Sequence, residues 1–239
     1  MEKKDCRQSL QIYLSGRLIS YSVRYSVRAK NISIRVSPDS GLEVVVPGSI
    51  RAYNIESALK GRESWITAKL DHFDRLREKK KSSRQAMFMG REYSLVPVIR
   101  HGAIPAVKML DGKILVTIPG DSPETLAGVL EEWYRTQAKT IFEERVRAIN
   151  KEAGHRVNRI FIRGQKTRWG SCSQLGNLSF NWRLVMAPAE VIDYIVIHEL
   201  SHLKEMNHSA GFWRLVGNLC PDYKKHRKWL RENGCALSL

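Results

Sequence analysis

Between residues 198 and 208 the chain reads His198-Glu199-Leu200-Ser201-His202 and then, six residues past His202, His208. The first five residues have the H-E-x-x-H spacing. On an α-helix, residues four apart stack one turn above another, so both imidazoles can reach a single ion. At about 100° per residue the two histidines lie about 40° apart, and Glu199 about 100° from His198. The carboxylate therefore flanks the ion, where a general base takes a proton from an activated water. His208 is the expected third ligand. Three protein ligands and one open position are the arrangement of catalytic Zn2+. A continuous helix would carry His208 away from the ion, so the helix must stop before it. Asn207, tolerant of left-handed backbone, is the expected turning residue.

The helix that carries the pair is apolar almost all round. Ile192, Val196, Leu200 and Leu203 form a stripe opposite the histidines, and Val191 and Ile195 lie alongside them. Such a helix is buried, and its histidines and glutamate with it. Buried imidazoles and a buried carboxylate are costly unless something pairs with them, and a divalent cation does. His72, His101, His155 and His226 have no such surroundings and read as surface or packing histidines.

The elements that must position these residues follow from pattern. Residues 157–162 read as a strand, and 166–171 with 177–184 as a hairpin. The metal helix starts at Pro188, and short helices follow at 210–219 and 223–233. Upstream, Ser122 is a good N-cap with Pro123 behind it, opening a helix to Ala153 that stops at Gly154. Residues 87–98 and 107–118 read as strands, with Asp111-Gly112 as a turn. In the first third, 20–27, 33–36 and 42–46 alternate as strands around a turn at 38–41. Residues 54–80 have a helical period, and 75–84 form a basic, solvated linker. No internal repeat is evident. The expected fold class is α+β. Its divisions are a β-rich unit with a helix over 1–84, a short β segment over 85–120, and the chemistry-bearing domain over 121–239.

With 43% hydrophobic residues the chain can bury a core. Its 40 Lys and Arg against 24 Asp and Glu give a net charge of +16, a field that attracts an anionic substrate or partner: nucleotide, nucleic acid or acidic protein. The N-terminus lacks a secretory apolar core, and runs such as 191–197 are too short to cross a bilayer, so no membrane association is expected. Cys6, Cys172, Cys220 and Cys235 form no C-x-x-C pair, which fits reduced thiols and a cytoplasmic location. There is no P-loop, glycine-rich dinucleotide turn or zinc-finger pair.

Several stretches together carry a resemblance: Arg168-Trp169-Gly170-Ser171-Cys172-Ser173, Asn181-Trp182-Arg183-Leu184, and His198 to His208 with Ser209 and Phe212-Trp213. Pro221-Asp222-Tyr223-Lys224 with Trp229-Leu230 adds to it. In these the chain resembles the YgjP-like metallopeptidase-type family. The resemblance implies a compact zincin-like domain, with hairpin, metal helix and a third ligand from the following turn. The histidine spacing equals that of the metzincins, but Glu205 stands where their glycine would be. Zincins bind substrate along an edge strand beside the metal helix, which makes 177–183 the expected wall. Arg168, Asn181 and Arg183 are the expected substrate contacts. The two arginines either clamp a phosphate or carboxylate, or pair with acids such as Glu190 and Asp193. Cys172, Trp169 and Trp182 are expected to pack.

Three functions fit: a zinc metallopeptidase, a nucleoside-triphosphate pyrophosphohydrolase using the same zinc site, and a nucleic-acid-associated SprT-like protease or binding factor. Positive charge close to the metal would favour phosphates. A distant patch from 75–84 or 224–231 would favour nucleic acid.

Overall fold

Two-residue turns with positive φ set the hairpins of this chain. In the computed structural model, which describes residues 8–37, 40–48, 53–82, 84–165 and 167–239, β1 (Gln8–Leu14) and β2 (Arg17–Ser26) join at Ser15 and Gly16, with φ of 47° and 73°. That pair of values gives the turn whose twist matches antiparallel strands. β3 (Ser33–Ser37) pairs with β4 (Gly41–Pro47), and β4 runs parallel to β2, so the sheet order is β1-β2-β4-β3. Of the expected turn at 38–41, residues 38 and 39 lie outside the described residues.

One sheet face, with Ile12, Leu14, Ile19, Tyr21, Val23, Leu42, Val44 and Val46, is buried with Ile55, Leu59 and Ile66. These last three belong to α1 (Tyr53–Lys60) and α2 (Glu63–Ser82). The single helix expected over 54–80 is thus two. The chain breaks at Gly61, a poor helix former, where Arg62 N donates to Leu59 O at 3.0 Å in a tightened turn. The expected linker at 75–84 is helical as far as Ser82. Cys6 and the side chains of 76–83 lie outside the described residues.

The second sheet repeats the first. β5 (Gln85–Phe88) and β6 (Arg91–Ile99) turn at Met89 and Gly90, with φ of 50° and 75°, so the strand expected over 87–98 is a hairpin. β7 (Ala106–Leu110) and β8 (Lys113–Ile118) turn at Asp111 and Gly112, as expected. The order β5-β6-β8-β7, with β6 and β8 parallel, is the order of the first sheet. Gly16-Arg17-Leu18-Ile19-Ser20 answers Gly90-Arg91-Glu92-Tyr93-Ser94, and Val46-Pro47-Gly48 answers Ile118-Pro119-Gly120. This internal repeat corrects the expectation of none. It escapes a sequence reading because only the turn and strand-end residues are shared, while the apolar positions vary within type.

The chain divides into two compact units, Met1–Ser83 and Arg84–Leu239. Residues 85–120, expected as a segment of their own, share one core with residues 121–239. α3 (Pro123–Ala153) opens on Ser122, whose Oγ accepts from Thr125 N at 3.3 Å, and closes on Gly154 at φ 62°. Its buried residues recur every four: Leu130, Tyr134, Ala138, Phe142 and Val146. That stripe packs with Ile114, Val116 and Ile118 of β8 and with Leu178 and Phe180 further on. Tyr134 donates to Met87 O at 2.6 Å, and the Phe142 and Phe180 rings stack 4.4 Å apart, 2° from parallel.

The third sheet has the order β10-β11-β9, from β9 (Arg159–Arg163), β10 (Gly170–Cys172) and β11 (Asn177–Asn181). β10 and β11 make the expected hairpin, but Trp182–Met186 is a 3₁₀ turn. The expected metal helix is α4 (Ala189–Ser201), and α5 (Ala210–Leu219) and α6 (Tyr223–Asn233) follow. Gly90 fastens the second sheet to the start of α4, since a Cβ there would stand 2.9 Å from Pro188 Cα. No helix among the described residues is long and apolar enough to cross a membrane.

Candidate metal centre

α4 carries nine buried residues in thirteen, because Val191, Ile192, Tyr194, Ile195, Val196, Ile197 and Leu200 leave it no polar face. Glu199, 4% exposed, and His202, 8% exposed, are buried with them, and His198 is half-buried. The helix ends at Ser201, earlier than the expected turn at Asn207, and Asn207 does not take left-handed backbone. Ser201 Oγ donates to Ile197 O at 2.8 Å, and Leu203 N and Lys204 N then bond three residues back, at 3.0 and 3.1 Å. The tightened turn closes the helix and brings the chain round. Ser209 restarts it, its Oγ accepting from Phe212 N at 3.2 Å as the N-cap of α5.

This reversal places His208 against the first two histidines. One nitrogen of each of His198, His202 and His208 lies within 4.8 Å of the others. His198 Nε2 and His208 Nε2 are 3.1 Å apart. Two ligands of a tetrahedral ion bound at about 2.0–2.1 Å stand about 3.3 Å from one another, so the pair has the separation that one zinc-sized ion requires. His202 Nδ1 is 3.0 Å from Glu205 O. A carbonyl only accepts, so Nδ1 carries the proton and Nε2 keeps its lone pair for a cation. His198 Nδ1 is buried without a hydrogen-bond partner among the described residues, and that ring is held by packing. Phe212 lies 4.9 Å from it and Tyr194 6.0 Å. Burial, then the neighbouring histidines and Arg227, push His198 down to about 3, which leaves it neutral and ready to ligate.

Glu199 stands beside this cluster against Gly170 of β10. A Cβ on Gly170 would lie 2.8 Å from Glu199 Cγ and Cδ. Burial raises the carboxyl to about 8, opposed by the charge of Arg168. Cys172, half-buried on the same strand, is outside the histidine cluster, and burial followed by Glu199 pushes its thiol up to about 11. It packs.

The remaining sequence candidates separate. Arg168 is exposed and close enough to Glu199 to act on it. Asn181 is 3% exposed, and its amide serves the chain itself. Nδ2 donates to Gln165 O at 2.7 Å and Arg168 O at 3.4 Å, and Oδ1 accepts from Arg183 N at 3.2 Å. It therefore holds the loop that presents Arg168. Arg183 lies over the Trp182 ring at 4.4 Å. Asp193 pairs with Arg145 at 3.2 Å and not with either hairpin arginine. The strand that packs on α4 is β10. β11, the expected wall, is the central strand of its sheet, with both edges paired. Sequence reasoning missed Arg227, on α6, whose guanidinium carbon lies 5.0 Å from the Trp213 ring centre while Trp213 stacks on His208 at 5.6 Å. No spacing rule connects α6 to the metal helix, so nothing in the sequence singled it out.

Residues 30–233 match the family model described as YgjP-like, metallopeptidase domain. Two crystal structures of metallopeptidase zymogens are similar to part of the chain. Abylysin of Pyrococcus abyssi is 26% identical over 38% of this chain and 93% of its own, with a TM-score of 0.34. Jannalysin of Methanocaldococcus jannaschii is 26% identical over the same shares, with a TM-score of 0.30. No curated protein matches the chain.

Proposed function

The chain belongs to the YgjP-like metallopeptidase family, and on that premise we propose that it is a zinc-dependent peptide hydrolase. His198, His202 and His208 would hold the ion, and Glu199 is the general base. The observation that carries this reading is the convergence of three imidazole nitrogens within 4.8 Å beside a carboxylate that is 4% exposed. Zinc would supply Lewis acidity there, bringing a water's pKa toward about 7 and polarising the scissile carbonyl. Glu199 takes a proton from the attacking water and returns one to the departing amine, so that water adds across the C–N bond. Burial raises Glu199 to about 8, and Arg168 beside it opposes that rise in favour of the ionised, proton-accepting form. β10 has one edge paired with β11, and an extended peptide can lie along its other edge, beside α4.

A second reading is a nucleoside-triphosphate pyrophosphohydrolase, favoured by two arginines close to the site, Arg168 and Arg227, in a chain of net charge +16. The deciding experiment measures metal content and turnover together. Wild type should carry about one zinc per chain. Glu199→Gln should keep the zinc and lose about 10² or more in turnover. Unfolded protein and nucleoside triphosphates are assayed side by side. Pyrophosphate release that depends on zinc and Glu199, with intact protein substrate, would sink the peptidase reading.

A further inference from the structure

Arg227 is an exposed cation without an ion-pair partner among the described residues. It is also not loose, because its guanidinium lies on Trp213, 5.0 Å from the ring centre. Trp213 in turn stacks on His208, 25° from parallel, and on Tyr223, 19° from parallel. The Trp213 indole thus touches both the guanidinium and the ring of the third histidine. A guanidinium stacked on an aromatic face keeps its N–H edge free and loses little freedom when that edge binds a carboxylate. α6 carries other cations, but Arg227 is the one that lies on the ring stacked against His208.

The second cation of the site is placed differently. Arg168 acts on Glu199, whereas Arg227 acts on His198, His208 and Tyr194. Arg168 belongs to the loop before β10 and Arg227 to α6, so the two charges reach the centre from different elements. A polyphosphate needs several cations gathered round it. The single guanidinium held on Trp213 presents one planar fork, which matches one carboxylate.

We propose that Arg227 selects the substrate: its guanidinium, stacked on Trp213 beside His208, pairs with a carboxylate of an acidic peptide lying across the histidine cluster. This rests on the hydrolase reading and names its substrate class.

The test uses the zinc-loaded full chain and three peptides that differ only in carrying Glu, Gln or Lys next to the cleaved bond. A solvent-exposed charge-assisted pair makes the Glu peptide about fivefold better than the Gln peptide in kcat/KM, and the Lys peptide worse than either. In Arg227→Ala the Glu-to-Gln ratio falls to near one. In Arg227→Lys, which keeps the charge without the fork, it falls part of the way. Arg231→Ala, on the same helix and next to Glu232, keeps it. An unchanged ratio in Arg227→Ala, or no preference in wild type, overturns the proposal. Binding to Glu199→Gln separates this failure from failure of the hydrolase reading. Tighter binding of the Glu peptide, dependent on Arg227, supports the proposal even where wild type cleaves nothing. If Glu199→Gln binds ATP through Arg227 but does not distinguish the peptides, the carboxylate assignment is wrong.

Discussion

Replacing Gly170 by alanine tests whether Glu199 acts from the position in which the fold holds it. A Cβ at residue 170 would stand 2.8 Å from Glu199 Cγ and Cδ, where ordinary contact begins near 3.4 Å, and it would meet Oε1 more closely still. The overlap is therefore at least about 0.6 Å on two carbons at once. Glu199 cannot yield through its backbone, since α4 is buried around it. The carboxylate must swing instead. Overpacking of this kind costs about 1–3 kcal/mol, and moving a reacting group by about 1 Å costs on the order of 10² in rate. None of the three atoms nearest that Cβ belongs to a histidine, so the metal stays. The expected outcome for Gly170→Ala is zinc content equal to wild type, a lower melting temperature and kcat reduced about 100-fold. Gly128→Ala is the control, because a Cβ there meets nothing within 4 Å. In the exposed face of α3 it should stabilise by up to about 1 kcal/mol. A double-mutant cycle with Glu199→Ala, which removes the obstructing side chain, should recover the 1–3 kcal/mol. Full activity in Gly170→Ala would falsify the role of Glu199 as base in this geometry. Parallel loss of zinc and activity would show that Glu199 supports the ligands instead.

Phe142→Ala removes a fully buried ring stacked on Phe180 and should cost about 3–5 kcal/mol by chemical denaturation. Ser209→Ala removes the N-cap that starts α5 immediately after His208; stability should fall by about 0.5–2 kcal/mol and zinc affinity should weaken with all three histidines intact, as read by chelator competition. In metal-free protein His198, lowered to about 3 from 6.5, should erode stability as pH falls from 6.5 towards 3, where the unfolded chain binds a proton that the fold refuses. Glu199, raised from 4.5 to about 8, should erode it as pH rises from 4.5 towards 8, where the fold keeps a proton that the unfolded chain releases; melting temperature should therefore be flattest between 4.5 and 6.5 with respect to these two groups, and a metal-free Glu199→Gln that still loses stability between pH 6.5 and 8 would contradict the assignment.

The features legible in the sequence were those that depend on short spacing. A spacing of four between histidines, an apolar helix around them, Ser122 before Pro123 and Asp111-Gly112 between alternating runs each act within a turn or two of chain. The structure forms α3, α5, α6 and the Asp111 turn where those signals place them. Boundaries set by competition were read wrongly. The helix expected to reach Asn207 stops at Ser201, because a serine hydroxyl bonded to Ile197 O and three-residue hydrogen bonds replace the helical pattern. The strand expected over 87–98 folds on itself because Met89, with no turn preference of its own, accepts positive φ ahead of Gly90.

The substrate side was least legible, for a related reason. β11 alternates as an edge strand would, yet β9 pairs with it in parallel and closes its second edge. Nothing local in 159–163 announces that pairing. Asn181 sits where a substrate contact is expected, yet its amide is engaged by Gln165 and Arg168 carbonyls that only the tertiary path of the loop delivers. Arg227 is one cation among 40 in the sequence, and only the stacking of Trp213 on His208 distinguishes it. A metal helix concentrates its chemistry in one turn of chain, so its residue types carry the information. The proposed substrate surface is assembled from β10, the loop before it and α6, so its information lies in the packing. The zinc assignment should therefore survive substitutions in the β10 loop and α6, while the choice of substrate should change with them.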